Sequence, residues 1–445
     1  MPHRTIAALA LAVASAAFAQ IQPPTGPVAD SGPSLAELAD ATTPIVINQQ
    51  NTPGDGANDF IIREPGRYVV DRELVFSRSN AGILVRPDDN ILDGIVEIDL
   101  NGQRVVGAAG ARNVIEVSSN SFQRPNQTQR VVIRDGEILG NNLSTASQGV
   151  EADRETSLML RNLVFSGMLG NAVSVGDGAI IEHCQFRDVR LNAIRADSDG
   201  GNGVAVRHCF FERIGNAAVF LNNNARVERC VIRNADAEGV STGIIADNGA
   251  IVRDCILENI GQNAILLGTD GLVSGCTIRA IGGRDGATIN GVTIGRSGRI
   301  SDTIISDYQG TQAALFIDQN ATAERVTIDG SENGGIRTGL FSSTIRECHI
   351  DETAGLPILA TSYCTIVDNV IEVRFTFFTA LEAEGFNEID GNRLFGTIQV
   401  TGGGNRITRN QIADGGIVET NPAPSPANLI GPANDLTSPW ANFIR

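Results

Sequence analysis

The stretch RVERCVIRN, Arg226 to Asn234, decides the fold because it has near-copies on both sides. They are IIEHCQFRD, AVRHCFFER, IVRDCILEN and LVSGCTIRA, with cysteine at the same place: 184, 209, 230, 255 and 276. Five thiols in register can be a metal ladder, a disulfide column or plain core. The apolar–x–x–[Cys/Asn]–x–apolar pattern extends well beyond these five copies. Its fourth position falls at Gly136, Leu163, the five cysteines, Thr303, Val326, Cys348, Asn369, Asn392 and Asn410, in steps of 18 to 27 residues. Self-similarity at that period points to a solenoid or a propeller.

Within a unit the apolar period is two. "AIVR" alternates, a bend follows at Cys255, "CILENI" alternates again, and a polar corner leads to "NAILLG". Alternating runs of three to six residues between Asn-Gly, Asp-Gly and Gly-Gly turns read as short strands. Helical periodicity is nearly absent after residue 41, which argues against a strand–helix horseshoe. The units are also too short for a four-stranded propeller blade. Three short strands per turn, stacked in parallel, make an all-β parallel β-helix. Thirteen coils about 4.8 Å apart give a column about 60 Å long.

The repeat resembles the right-handed, single-stranded parallel β-helix proteins of the pectate-lyase-like superfamily. In that group an asparagine ladder often fills the sharp bend between the second and third strands. Asn369, Asn392 and Asn410 sit at that position, and the cysteines occupy it in earlier coils. The cysteine column then reads as a buried stack, since free cysteine is among the most buried residue types. A straight column cannot converge three or four thiolates on one ion. Parallel Cβ vectors at the coil spacing exceed the usual disulfide range of about 3.5–4.5 Å. The segment from 63 to 107, with "DLNG" at Asp99–Gly102, and the tail "NLIGPANDLTSPWANFIR" resemble the two ends of secreted bacterial β-helix proteins of unknown function.

The chain has 445 residues and a formal charge of −17, and its 34 basic residues are all arginine. An acidic, lysine-free chain is a poor partner for nucleic acid or an anionic membrane. Residues 1–19 read as a signal peptide, with Arg4, the apolar run "IAALALAVASAA" and Ala17-Phe18-Ala19 before Gln20. No other run approaches the length of a membrane span. The expected organisation is a Pro-rich linker over 20–33, an N-terminal cap and first coils over 34–130, repeats over 131–414 and a C-terminal cap over 415–445. "SLAELAD" (Ser34–Asp40) carries a Ser-x-x-Glu capping box and is expected to form a short helix. The expected location is secreted, periplasmic or on the cell surface.

In enzymes of the resembling group the site lies on the outer face of the first strand. Aligning "NAVSV" with its copies predicts an outward column of Ser174, Arg195, Val219, Ile245, Leu266, Thr293, Phe316 and Arg337. That column holds no carboxylate, whereas glycosidases need two flanking the scissile bond. The Gly-His-Gly and Arg-Ile-Lys motifs of polygalacturonase-like enzymes are missing. A lysine base, as in alginate-lyase-like enzymes, is impossible here. The resemblance leaves one arrangement, an arginine base beside calcium held by aspartates. Arg195 would be the base, with Asp236 and Glu238 on the opposite edge, and Asp197 and Asp199 as calcium ligands. The ordinary reading of these acidic residues is turn chemistry.

Other features carry paired readings. His183 and His208 are expected to stack on the outside, as surface residues or as a two-histidine metal site. Trp440 reads as a plug or a sugar platform, and "VRFTFFTAL" (Val373–Leu381) as packing or as Phe377 and Phe378 presented to a ligand. "NNLSTASQGVEADRETS" (Asn141–Ser157) reads as the longest inserted loop, with Glu151, Asp153 and Glu155 at one end of a groove. Two functions follow: a secreted protein that interacts with carbohydrate, as a polysaccharide lyase or glycoside hydrolase, or a non-catalytic extracellular binding or surface module.

Overall fold

A computed structural model describes residues 43–444 except 87–93, 108–111, 119–128, 141–147, 155, 197–200, 236–240, 283–288, 374–378, 421–427, 435–437, 439 and 440. The chain divides into Met1–Thr43 and Pro44–Arg445, and the fold below is that of the second unit. The expected signal peptide, linker and capping helix lie outside the described residues, as does Trp440.

Pro44–Arg445 is an all-β parallel solenoid of about 14 turns, with no helix among the described residues. A typical coil runs Thr242–Ala246, Ile251–Arg253, Ile256–Ile260. Its first strand belongs to a 16-stranded sheet, and its second and third to a 31-stranded sheet. Every strand–strand register in both sheets is parallel. The repeat alignment holds position by position. Arg207 pairs with Glu228 and Phe210 with Val231, so Cys209 lies over Cys230. The segment resembling a chain end already forms coils: Gly66–Val69 pairs with Ile95–Asp99, which pairs with Gln129–Leu139.

The strands are short because left-handed residues turn the chain at each corner. One such column precedes the buried bend: His183, His208, Arg229, Asp254, Asp302, Arg325, Glu347, Asp368 and Arg409, all with φ between 50° and 56°. Inward positions fill the core. Phe165, Phe186 and Phe211 stack with centroids 4.9 Å apart and planes 6° from parallel. Each fully buried aromatic of this kind contributes about 1.5–3 kcal/mol relative to exposure.

All seven cysteines are free and buried. The bend position has one hydrogen-bonding scheme, met by two residue types. Asn392 Nδ2 donates to the carbonyl of Asp390 in its own coil (3.2 Å) and of Ile366 in the coil before (2.9 Å). Cys209 Sγ lies against the equivalent carbonyls, Arg207 (3.2 Å) and Ile181 (3.6 Å). Asn392 Oδ1 accepts the N–H of Asn369 (3.0 Å), and the Cys209 thiol accepts the N–H of Cys184. Cysteine can therefore replace asparagine at this corner, because it too is small and can donate and accept. Burial pushes the Cys348 thiol up to about 11.

Outward positions are charge-matched along the stack. Glu182, Arg207, Glu228 and Arg253 occupy successive coils in register. Arg207 lies 3.6 Å from Glu182 and 3.2 Å from Glu228. Like charges one strand spacing apart destabilise a parallel stack, and alternation avoids this.

Candidate functional site

The outer face of the 16-stranded sheet is the natural platform for a ligand. The registers place Glu116, Glu151, Ser174, Arg195 and Phe220 in one outward column, followed by Ile245, Leu266, Thr293, Phe316 and Arg337. This corrects the sequence reading twice. Val219 points into the core and Phe220 points out, because this coil has an extra alanine between Asn216 and Val219. The column also continues two coils towards the N-terminus and there contains two carboxylates. Glu151 lies in the strand Gln148–Ala152 rather than in a loop. Glu155 and residues 141–147 lie outside the described residues.

A row of amides runs beside these strands. Asn192 donates to Asn171 Oδ1 from its backbone (3.2 Å) and side chain (3.0 Å), and Asn216 donates to Asn192 Oδ1 at 2.9 Å. Two coils earlier, Asn113 is fully buried and serves differently. Its Nδ2 donates to Glu116 Oε2 at 2.9 Å and to Glu151 Oε2 at 2.5 Å. Two acceptors on one amide nitrogen lie within about 5 Å of each other. Arg112 Nη2 is 3.9 Å from Glu151 Oε1. Ser174 hydrogen-bonds Gln148, and Asp153 accepts from Thr156 at 2.8 Å. Arg112, Glu116, Glu151, Asp153 and Ser174 line a cleft of about 320 Å³ that also takes in Arg195. Arg195 is exposed and has no ion-pair partner among the described residues. That volume lies at the small end of the usual range for ligand sites, about 300–1,000 Å³.

Of the residues singled out from the sequence, Arg195, Ser174, Glu151 and Asp153 line this cleft. Asp197, Asp199, Asp236 and Glu238 lie outside the described residues. Asp177, Asn202, Asn223 and Asn248 form a turn ladder: Asp177 Oδ1 accepts from Asn202, Asn202 from Asn223, and Asn223 from Asn248. His183 and His208 stack with centroids 4.9 Å apart, beside Glu182, Arg207 and Glu228. Among the described residues no group of three or more His, Cys, Asp or Glu is placed to hold a metal ion. Phe377 and Phe378 lie outside the described residues. Glu116 was missed although the signal was present: "NVIEV" (113–117) and "QGVEA" (148–152) have the same alternation as "NAVSV" (171–175).

The family model for the right-handed β-helix region matches residues 126–278 and 243–412. The chain belongs to this family. No curated protein matches it by sequence. Its fold is similar to tailspike protein 3 of bacteriophage CBA120, at 12% identity and TM-score 0.39, over 80% of this chain and 59% of that one. It is also similar to a tailspike protein of Escherichia coli bacteriophage HK620 in complex with a pentasaccharide, at 10% identity and TM-score 0.32, over 86% and 79% of the chains. A mannuronic acid specific polysaccharide family 6 lyase from human gut microbiota is similar at 11% identity and TM-score 0.28, over 84% and 91%. The chain spans less than two thirds of the length of the first of these. No helix of the described residues is long and apolar enough to cross a membrane.

Proposed function

We propose that this is an exported protein that binds polysaccharide along the outer face of the 16-stranded sheet and hydrolyses a glycosidic bond at Glu116 and Glu151. One observation carries the reading: two carboxylates on adjacent coils, held by one buried amide, at the wall of a cleft. Carboxylates about 5–5.5 Å apart cleave glycosides through a covalent intermediate, whereas about 6.5–9.5 Å leaves room for a water and inverts the product. The spacing set by Asn113 corresponds to the first case. Glu151, with Arg112 beside it, is the nucleophile. Its oxygen bonds to the anomeric carbon as the bond to the leaving oxygen breaks, and Glu116 gives that oxygen its proton. Glu116 then takes a proton from water, whose oxygen displaces Glu151 and releases a product of retained configuration. Arg195 binds a hydroxyl or carboxylate of a neighbouring sugar.

The test is incubation of the full chain with neutral and uronate polysaccharides, with chain length and product anomer followed by chromatography and NMR. Glu116→Gln and Glu151→Gln should each lower the rate at least about 100-fold while leaving the fold intact, the scale of positioned acid–base catalysis. Unsaturated products that need calcium would instead support a lyase with Arg195 as base and Asp197 and Asp199 as ligands. Glycan binding without cleavage would support a non-catalytic module. Binding to no glycan refutes the reading.

A further inference from the structure

The corner after each first-sheet strand holds another left-handed column. Its members are the residues this backbone favours: Gly203 (φ 70°), Asn224 (58°), Gly249 (69°), Asp270 (59°), Ser297 (56°), Asn320 (59°) and Ser342 (59°). Two coils break the rule. Tyr363 and Phe386 occupy the same position at φ 62° and 63°. The coil-to-coil bonds confirm the register: Ser342 N donates to Ser362 O, Tyr363 N to Gly385 O and Phe386 N to Gly403 O. Elsewhere this corner is filled by Gly, Asn, Asp or Ser, and an aromatic residue is not what the conformation favours.

These rings contribute little to the core. Tyr363 is 53% exposed, Phe386 45% and the adjoining Phe341 44%. Tyr363 and Phe386 stack at 5.0 Å, while Phe341 and Tyr363 meet at 6.2 Å with planes 57° apart, which opens a wedge between them. Beyond Phe386 the stripe stops, because a Cβ on Gly404 would fall 2.6 Å from the Phe386 ring. Beside the rings Ser362 Oγ donates to Glu384 Oε2 at 3.4 Å. In the same coils the outer face of the first sheet carries Arg337, Leu359, Glu382 and Gln399.

We infer that Phe341, Tyr363 and Phe386 form a second glycan-binding subsite, for sugar rings of the same polysaccharide that enters the Glu116–Glu151 cleft. This rests on the function proposed above. Size argues against a protein partner. Three half-exposed aromatics present about 300 Å², against about 800 Å² per partner in a standard protein interface. A narrow apolar stripe with a hydroxyl and a carboxylate beside it suits a pyranose chain, whose faces are apolar and whose rim is hydroxylated. The stripe lies at the corner that follows the strands of the sheet bearing the cleft. Tyr363 is nine coils beyond Glu151, or about 43 Å at 4.8 Å per coil. Only a long chain reaches both.

The test replaces the rings with the residue that the corner prefers, in the double variant Tyr363→Asn, Phe386→Asn. Wild type and variant are compared on arrays of neutral and uronate oligosaccharides of four and of about twelve residues, with melting temperature measured in parallel. The proposal predicts a loss of about 10-fold or more in affinity for the long chains. Affinity for the short ones should not change, and the melting temperature should be unchanged or up by about 1–2 °C as strain is relieved. A lowered melting temperature with unchanged long-chain binding would make the rings structural and overturn the subsite, leaving the cleft standing. Wild-type protein that binds neither length refutes both.

Discussion

If the bend position needs a small side chain that both donates and accepts, replacing Asn392 with cysteine must cost much less than replacing it with alanine. Asn392 is fully buried. Its Oδ1 accepts from the backbone N–H and the Nδ2 of Asn369, at 3.0 and 2.9 Å. Its Nδ2 donates to Ile366 O, Asp390 O and Asn410 Oδ1 at 2.9, 3.2 and 3.0 Å. Alanine removes all of these. Asp390 O keeps the N–H of Asp368, and Asn410 Oδ1 keeps the backbone N–H of Asn392. The Asn369 N–H and the Ile366 carbonyl lose their side-chain partner. At about 1–3 kcal/mol for each buried group left unpaired, Asn392→Ala should cost about 3–5 kcal/mol. Cysteine recovers both contacts, as Cys209 does with Cys184 N–H and Ile181 O. It loses only the amide-to-amide links, so Asn392→Cys should cost about 1–2 kcal/mol. The assay is guanidinium unfolding followed by circular dichroism, comparing midpoints at a common slope. Equal losses for the two variants would show that cysteine fills space at this corner without taking over the hydrogen bonds.

Two further outcomes follow from the packing. A thiol reagent should find no reactive cysteine in the native protein and seven after denaturation, because the thiols are buried and Cys348 is pushed up to about 11; five in the denatured chain would reveal a disulfide. Glu324 is held below its ordinary value of 4.5 by hydrogen bonds from Arg346 and Arg325 and by the charge of Arg299. Its stabilisation is complete above that ordinary value and lost as pH falls through the lower folded value. Glu324→Gln should therefore lower the melting temperature at neutral pH by an amount that shrinks in acid; a difference that stays constant into acid would mean that the arginines contribute nothing through charge.

Much of the solenoid was legible because its spacing is local. Within one coil, alternation, a bend residue and turn chemistry repeat at 18 to 27 residues, and stacking copies is the way to bury every apolar face. The bend ladder was found from Asn369, Asn392 and Asn410. A second ladder, Asn387–Asn405–Asn428, went unseen, although Asn387/Asn392 and Asn405/Asn410 repeat one five-residue spacing. The histidine stack was anticipated because both residues precede cysteines already in register.

The sequence by itself determined the coil: the alternation of inward and outward positions, where the chain bends, and that cysteine and asparagine share one corner. These depend on neighbours a few residues apart. Only the tertiary structure decided what lies one coil above another. Glu116 and Glu151 are 35 residues apart across an insertion that hides their common register, yet stacking brings both onto one amide. Tyr363 and Phe386 look unremarkable in sequence, and only their stacking on adjacent coils and their exposure set them apart. In a solenoid, coil length varies while rise does not, so contacts across coils follow the stack rather than the count of residues.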